Sequence, residues 1–559
     1  MADPLTPADA TRMRPARSLF IGVDVGTGSA RAGVFDAAGA LLGVGREAIQ
    51  IWRDPGDFVE QSSDDIWRAC CVAVHGAMAE AGATATEIGG LAFDATCSIA
   101  VVAEGGAPLP VGRHGDPRRN VIVWMDHRAV AETAAINAGG HAVLDYVGGA
   151  ISPEMQTPKL LWLKRHLPET FARAGHFFDL SDFLTWKATG DAARSSCTVT
   201  CKWTYLAHAD RWDPAFFRAV GLEEIADEGF RRIGERIAPP GAPLGAGLTA
   251  EAAEMLGLLP GTAVAASLID AHAGALGTVG SLDPDGNAPS AVRRLAYIIG
   301  TSACIMSSTV EAQFVPGIWG PYRSALLPEF WLNEGGQSAA GAAIDHLVRQ
   351  HPAFPALAEA AKAAGADVLA LLEAEILSRF ASPAEACALA RDVHVLPDFL
   401  GNRSPYADPD VRGAVLGLDL NADRDSLARL YLAALCGLGY AAAEVVEALS
   451  ARGGQADTIV ASGGGARSAL VRQIIADATG LPVAVPTTAE PVLLGSAMLA
   501  AVAAGRYPSL ASAMPAMSRI ASTVSPSAGP IRELHAAKRR IFDRLRLLDR
   551  DARTAMAAV

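Results

Sequence analysis

Two carboxylates stand where a phosphoryl transfer would need them. Asp24 ends the apolar run SLFIGVD and leads into the turn Gly26-Thr27-Gly28-Ser29. A carboxylate there can hold Mg²⁺ through water beside phosphates, whereas the plainer reading is a turn-initiating Asp. Asp270 follows an apolar strand that ends at Ile269, and small residues behind it begin a helix. It reads as a helix cap or as a general base at a strand end, where apolar neighbours limit water. Lys202 in CKWTYL and Glu334 in NEGGQSAAGAAIDHL suit polyol recognition by charge-assisted hydrogen bonds. So do the mixed residues Trp124-Met125-Asp126-His127-Arg128. Each taken alone is more often a surface or capping residue. His127 and His272 lack the HExxH spacing of a metal site, so no metal is assigned to them.

Three glycine-rich elements would position these groups. Ser18–Phe35 and Arg294–Thr309 each read as strand, tight turn, strand. Each turn carries Thr or Ser hydroxyls and free backbone N–H groups, which make an anion-binding concavity without a helix. The pattern GxxxxGK[ST] is absent, and Arg31 stands where a dinucleotide fingerprint wants Gly or Ala, so P-loop and Rossmann readings fail. The third element is a strand, 457–461, then Ser462-Gly463-Gly464-Gly465-Ala466-Arg467, then a helical pattern. It can lay backbone against a flat ligand or a phosphate. Alanine-rich helical stretches fill 351–391 and 421–450.

At 559 residues the chain has room for two or more domains. The net charge of −13 and the lack of a basic block argue against nucleic acid and against polybasic membrane docking. The tail before Ser18 has no apolar h-region. Leu430–Ala443 is apolar but short of the ~20 residues of a membrane span, so it reads as a buried core helix. A cytoplasmic protein without membrane partners is expected. The eight cysteines form no CxxC, and the closest non-adjacent pair, Cys197 and Cys201, has no His near it in sequence. Reduced core thiols are expected.

Seven motifs occur in order from Ser18 to the Arg540s. They are GVDVGTGSAR (22–31), WMDHR (124–128), IDAHAGALG (269–277), IGTSA (299–303), EGGQSAAGAAID (334–345), FLGNRSPYADPDVRGAVLGL (399–418) and ASGGGARSALVRQIIAD (461–477). Together they resemble the FGGY carbohydrate kinases. The resemblance implies an α/β, two-domain actin-like ATPase fold, a duplicated ribonuclease H-like unit with a cleft between the domains. It places Asp24, Gly26, Thr27, Gly28, Ser29, Arg31, Gly300, Thr301, Ser302, Gly341 and Asp345 at ATP, with Gly464, Gly465 and Ala466 flooring the adenosine site. It makes Asp270 the catalytic base, and Asp24 and Asp270 the carboxylates near Mg²⁺, through water. Asp94-Ala95-Thr96-Cys97-Ser98 resembles the sugar-pocket segment of the pentulose kinases, most of all the D-ribulokinases. Thr96, Cys97, Ser98, Asp126, Lys202, Asp270 and Glu334 are thus the expected sugar contacts. The usual continuation Leu-Val is Ile99-Ala100 here, and the smaller Ala100 is expected to leave volume beside the segment, which ribitol could exploit.

The expected organisation is a flexible tail over 1–17, a sugar- and phosphate-binding domain over 18–280, a hinge over 281–293 and a nucleotide-binding domain over 294–559. The partners are ATP and a small sugar, with a homodimer left open. The expected reaction is ATP-dependent phosphorylation of a pentulose, D-ribulose to D-ribulose 5-phosphate. The alternatives are a kinase for ribitol, L-ribulose or another polyol, an actin-like nucleotide-dependent conformational protein, and a sugar-sensing repressor. The last would need a DNA-binding module for which the short tail has no room.

Overall fold

The computed structural model describes residues 18–557; the 1–17 tail lies outside them. The first glycine turn joins two antiparallel strands, Leu19–Val25 and Ser29–Phe35, and the Gly26 N–H closes it on the Ser29 carbonyl at 3.1 Å. Leu41–Ala48 adds a third antiparallel strand. On the other side Ile88–Ala95 pairs in parallel with Leu19–Val25, with Asp24 level with Asp94. Short strands Ala263–Val264 and Leu268–Ile269 pair in parallel with Ile88–Ala95.

The second half repeats this order. Arg294–Ile299, Ala303–Thr309 and Trp331–Gln337 run antiparallel, while Thr458–Ser462 and Val483–Pro486 follow in parallel on the other side. Three antiparallel strands followed by parallel ones, twice in one chain, is the duplicated actin-like architecture. A further sheet in the N-terminal half contains Ile99–Ala103, so Thr96-Cys97-Ser98 is the corner at which the chain leaves one sheet for another.

The halves are tied by two helices of small residues. Asp270–Val279 and Pro491–Ala503 cross at backbone contact: a Cβ on Gly277 would fall 2.1 Å from the Pro491 carbonyl oxygen, and one on Gly495 1.9 Å from that of Ala273. Pro491–Ala503 also lies on the N-terminal sheet, where Gly22 lets the Leu493 carbonyl approach. The chain therefore returns to its first half late in the sequence. The segment 281–293 is one of several passages between the halves, and it is anchored, since the Leu282 N–H donates to the Ser518 carbonyl at 2.8 Å.

The apolar stretch at 430–443 belongs to a 27-residue helix, Arg424–Ser450, long and apolar enough by composition to cross a membrane. Its apolar window is 89% buried against the second sheet and neighbouring helices. The core-helix reading stands, but on burial and not on length.

Candidate active site

Both glycine turns face one cleft of about 350 Å³ between the halves, lined by Gly26, Thr27, Gly300, Thr301 and Ser302. The second turn closes as the first does, with the Gly300 N–H on the Ser302 carbonyl at 2.9 Å. Thr27 is fixed from both sides: its hydroxyl accepts from Trp124 Nε1 at 3.0 Å and its carbonyl from Gln61 Nε2 at 2.6 Å. Gly28 and Ser29 lie on the turn but outside the cleft lining, and Ser29 Oγ accepts from Arg46 Nε at 3.2 Å. Arg31 reaches the cleft with its donors committed. It pairs with Asp24 Oδ2, from Nε at 3.0 Å, and with Glu490 Oε2 at 2.7 Å. Asp24 is buried, and both Arg31 contacts fall on its Oδ2. Asp94 lies beneath it, where burial, and then the Asp24 charge, push its carboxyl well up.

Elsewhere in the cleft, Asp270 is the first residue of its helix, and its Oδ1 accepts the Ala271 N–H at 2.6 Å. Burial pushes its pKa up to about 7, with Asp24 adding to the rise while the Ala271 N–H and Lys202 oppose it. Lys202 closes the short helix Ser196–Lys202, and its ammonium sits 4.5 Å from the Trp319 ring centroid. Burial works against its charge, but Cys97 and Glu334 outweigh it and hold the pKa up. Burial likewise opposes Glu334, and Lys202 and His272 more than offset it, so the carboxyl stays below its usual range. Lys202 and Glu334 are thus a buried, ionised pair. Thr96 and Cys97 line the same cleft.

Several expected contacts are displaced. Ser98 is fully buried behind the lining, where its hydroxyl accepts the Trp124 N–H at 3.1 Å and lies 3.0 Å from Thr96 Oγ1; it positions those two residues. Asp126 is fully buried in an ion network. It accepts from the Val59 N–H at 2.6 Å and from Arg128 Nη2 at 2.6 Å, and Arg128 also pairs with Glu60 at 2.8 Å. It offers nothing to a sugar. Ala100 is buried in the apolar cluster of Phe93, Val102 and Phe178, so its missing volume lies in the core and not beside the sugar pocket.

Of the residues expected at the nucleotide, Gly341, Asp345, Gly464, Gly465 and Ala466 do not line the cavity itself, though Gly341 and Gly465 pack against the second turn. A Cβ on Gly341 would come 2.8 Å from the Gly300 carbonyl, and one on Gly465 2.5 Å from the Ile299 side chain. Gly464 is open, and Asp345 is exposed one helical turn after Gly341. Ala466 is buried in the core and presents no side chain there. Glu154, Cys304, Trp319 and Arg403 also line the cleft, with Trp124. Trp124 and Arg403 lay within recognised motifs; Glu154, Cys304 and Trp319 carried no signal. A histidine does approach the cysteine pair: ligand atoms of Cys197, Cys201 and His272 lie within 4.8 Å of one another, with Cys201 Sγ 3.6 Å from His272 Nε2. All eight cysteines are free thiols.

Two lobes with matching sheets, and a glycine turn from each facing one cleft lined by buried carboxylates, define a phosphotransferase of the actin-like type. Family models agree: residues 19–277 match the N-terminal domain of the FGGY family of carbohydrate kinases, and residues 295–504 its C-terminal domain. The chain is 48% identical over 514 residues to the FGGY carbohydrate kinase domain-containing protein of Homo sapiens, covering 91% of this chain and 92% of that one. It is 37% identical over 518 residues to a D-ribulokinase of Saccharomyces cerevisiae, covering 88% and 72%. Among solved structures, xylulose kinase from Rhodospirillum rubrum superposes with a TM-score of 0.74 at 23% identity, covering 94% and 98%. Plasmodium falciparum glycerol kinase with ADP gives 0.75 at 14%, covering 95% and 98%. The chain belongs to the FGGY family of carbohydrate kinases and is an ATP-dependent sugar kinase.

Proposed function

We propose that the chain converts D-ribulose to D-ribulose 5-phosphate, with Asp270 as general base. The observation that carries this reading is the meeting of Thr96, Cys97, Lys202, Asp270 and Glu334 in the cleft that both phosphate turns face. The similarity to a yeast protein named D-ribulokinase supports the choice of sugar.

The sugar's C5 hydroxyl loses its proton to Asp270 as its oxygen attacks the γ-phosphorus of ATP. The bond from that phosphorus to the β,γ-bridging oxygen breaks, and ADP leaves. A carboxyl with a pKa near 7 suits the task, because it is ionised at working pH yet basic enough to take the proton. Thr27, Thr301 and Ser302 donate hydroxyl protons to phosphate oxygens, and the turn N–H groups add to them. Lys202 donates to sugar oxygens while Glu334 accepts from sugar hydroxyls, which fixes the chain in one orientation. The donor set at the phosphate end is all oxygen, with the Arg31 contacts confined to Asp24 Oδ2, and this fits Mg²⁺. When bound there, the ion would offset charge on the phosphates; Asp24 and Asp270 would hold it through water. Closure about the crossing helices would exclude water as a competing nucleophile.

The test is a coupled ADP-release screen over D-ribulose, L-ribulose, D-xylulose, ribitol and glycerol. D-Ribulose should have the highest kcat/KM, by about 10–100-fold, because one inverted centre leaves buried polar groups unpaired. A higher value for ribitol or L-ribulose would remove the D-ribulose assignment and leave the sugar kinase.

A further inference from the structure

Arg403 reaches the cleft from the C-terminal half, in the motif FLGNRSPYADPDV, yet it is poorly partnered for a guanidinium that is only 11% exposed. Among the described residues its polar contacts are Nη2 to Glu154 Oε1 at 3.4 Å and Nη1 to Cys304 Sγ at 4.0 Å. Arg128, whose side chain is fully buried, meets Asp126, Glu60 and the Val111 carbonyl at 2.6–2.8 Å. A guanidinium has five N–H donors, and those of Arg403 that no side chain takes are left to the cleft it lines. Arg403 is therefore built for a partner that enters the cleft.

Its neighbours locate that partner. Arg403 and Lys202 lie 5.4 and 4.5 Å from the same Trp319 ring centroid. Trp319 pairs with Glu334 across the sheet, and Glu334 Oε1 stands 3.6 Å from the Cys304 thiol that Arg403 also meets. Asp24, Asp270, Lys202, Glu334 and Arg403 all line the one cleft. Two cations and two anions, Lys202 and Arg403 with Glu154 and Glu334, leave this end with no net charge, which fits a neutral ligand. A five-carbon sugar whose terminal hydroxyl meets Asp270 runs past Lys202 and Glu334 with its other end at Arg403.

We infer that Arg403 is a specificity-determining residue: it donates to the carbonyl end of the sugar and so selects a ketose over the corresponding alditol. The inference rests on the pentulose reading above. A ketone oxygen only accepts, and a guanidinium only donates, so the two match with no proton left to place. An alditol presents a hydroxyl there instead, whose own proton needs an acceptor that a guanidinium cannot supply.

The test compares kcat and KM for D-ribulose and ribitol, at saturating ATP, in wild type, Arg403→Met and Arg403→Lys. The guanidinium is far from the reacting oxygen, so KM for D-ribulose should rise more than kcat falls. The ratio of kcat/KM for ketose over alditol should drop by about 10–100-fold in Arg403→Met and by less in Arg403→Lys. Circular dichroism and melting report folding, and Arg403→Lys, the milder change, carries the test if Arg403→Met does not fold. An unchanged ratio in a folded variant, or equal losses on both sugars, would overturn the inference. A wild type that prefers ribitol, but whose ratio still shifts, would remove only the D-ribulose reading. A wild type that turns over neither sugar would remove both.

Discussion

Replacing Asp270 by Asn should make the protein more stable and nearly inactive, and the structure sets the size of both effects. The wild-type carboxyl is fully buried, and its pKa is pushed from 3.8 to about 7. In the unfolded chain it ionises at its ordinary value, so between pH 3.8 and about 7 the unfolded state binds fewer protons than the native one. Stability therefore falls as pH rises through that window and levels off above it. At 1.36 kcal/mol per pH unit, the gap of about three corresponds to about 4 kcal/mol of native-state cost at pH 8. Asn carries no charge and keeps an acceptor for the Ala271 N–H, so it should recover most of that cost. Urea unfolding at pH 8.5 and pH 4.5 measures it: the variant's gain should be several-fold larger at the higher pH. Loss of the general base should lower kcat by ~10²–10⁴-fold, with ATP affinity retained. A variant less stable than wild type at pH 8.5, or a gain independent of pH, would refute the burial argument. A kcat within a few-fold of wild type would remove Asp270 from the chemistry.

Thr301→Ala should weaken ATP binding by about 10–100-fold, the worth of one hydrogen bond to a charged group, with sugar affinity unchanged; calorimetry showing only a sugar defect would break the two-turn account. Asp126→Ala should cost about 3–5 kcal/mol in urea unfolding, because it leaves Arg128 buried with an incomplete set of partners, while the folded enzyme keeps its sugar KM. A raised KM without loss of stability would return Asp126 to the sugar site. The wild-type kcat/KM for sugar should fall about tenfold per pH unit below about 7, as Asp270 takes up its proton. A flat profile from pH 5 to 8 would contradict that assignment.

What could be read in the sequence was local. A strand ending in Gly-Thr-Gly-Ser or Gly-Thr-Ser is a contiguous pattern, and so is an Asp between an apolar strand and a run of small residues. Both turns and Asp270 were legible for that reason. Lys202 and Glu334 stood out singly as ionisable residues among apolar or small ones, but only the resemblance put them at one ligand, because 132 positions separate the two and nothing local pairs them. Glu154 and Arg403 come from opposite halves and meet only once both lobes are folded. Asp126 was misread because an aspartate beside an arginine looks the same whether it faces a ligand or closes a buried ion network; the Val59 N–H and Glu60 decide it, from another strand. Ala100 was misread because the corner at Thr96–Ser98 moves the chain to a different sheet and turns that side chain into the core. The return of Pro491–Ala503 to the first sheet rests on glycines at 22, 277 and 495, whose role appears only when the helices they admit are in place.

The central claim is that the γ-phosphoryl group of ATP is transferred to a pentulose hydroxyl held at Asp270. Phosphorus NMR of the wild-type reaction with D-ribulose, ATP and Mg²⁺ tests it most directly. The account predicts one new phosphomonoester resonance coupled to the C5 protons, growing mole for mole with ADP and absent with Asp270→Asn. ADP accompanied only by inorganic phosphate, or a phosphomonoester formed equally well without Asp270, would contradict it.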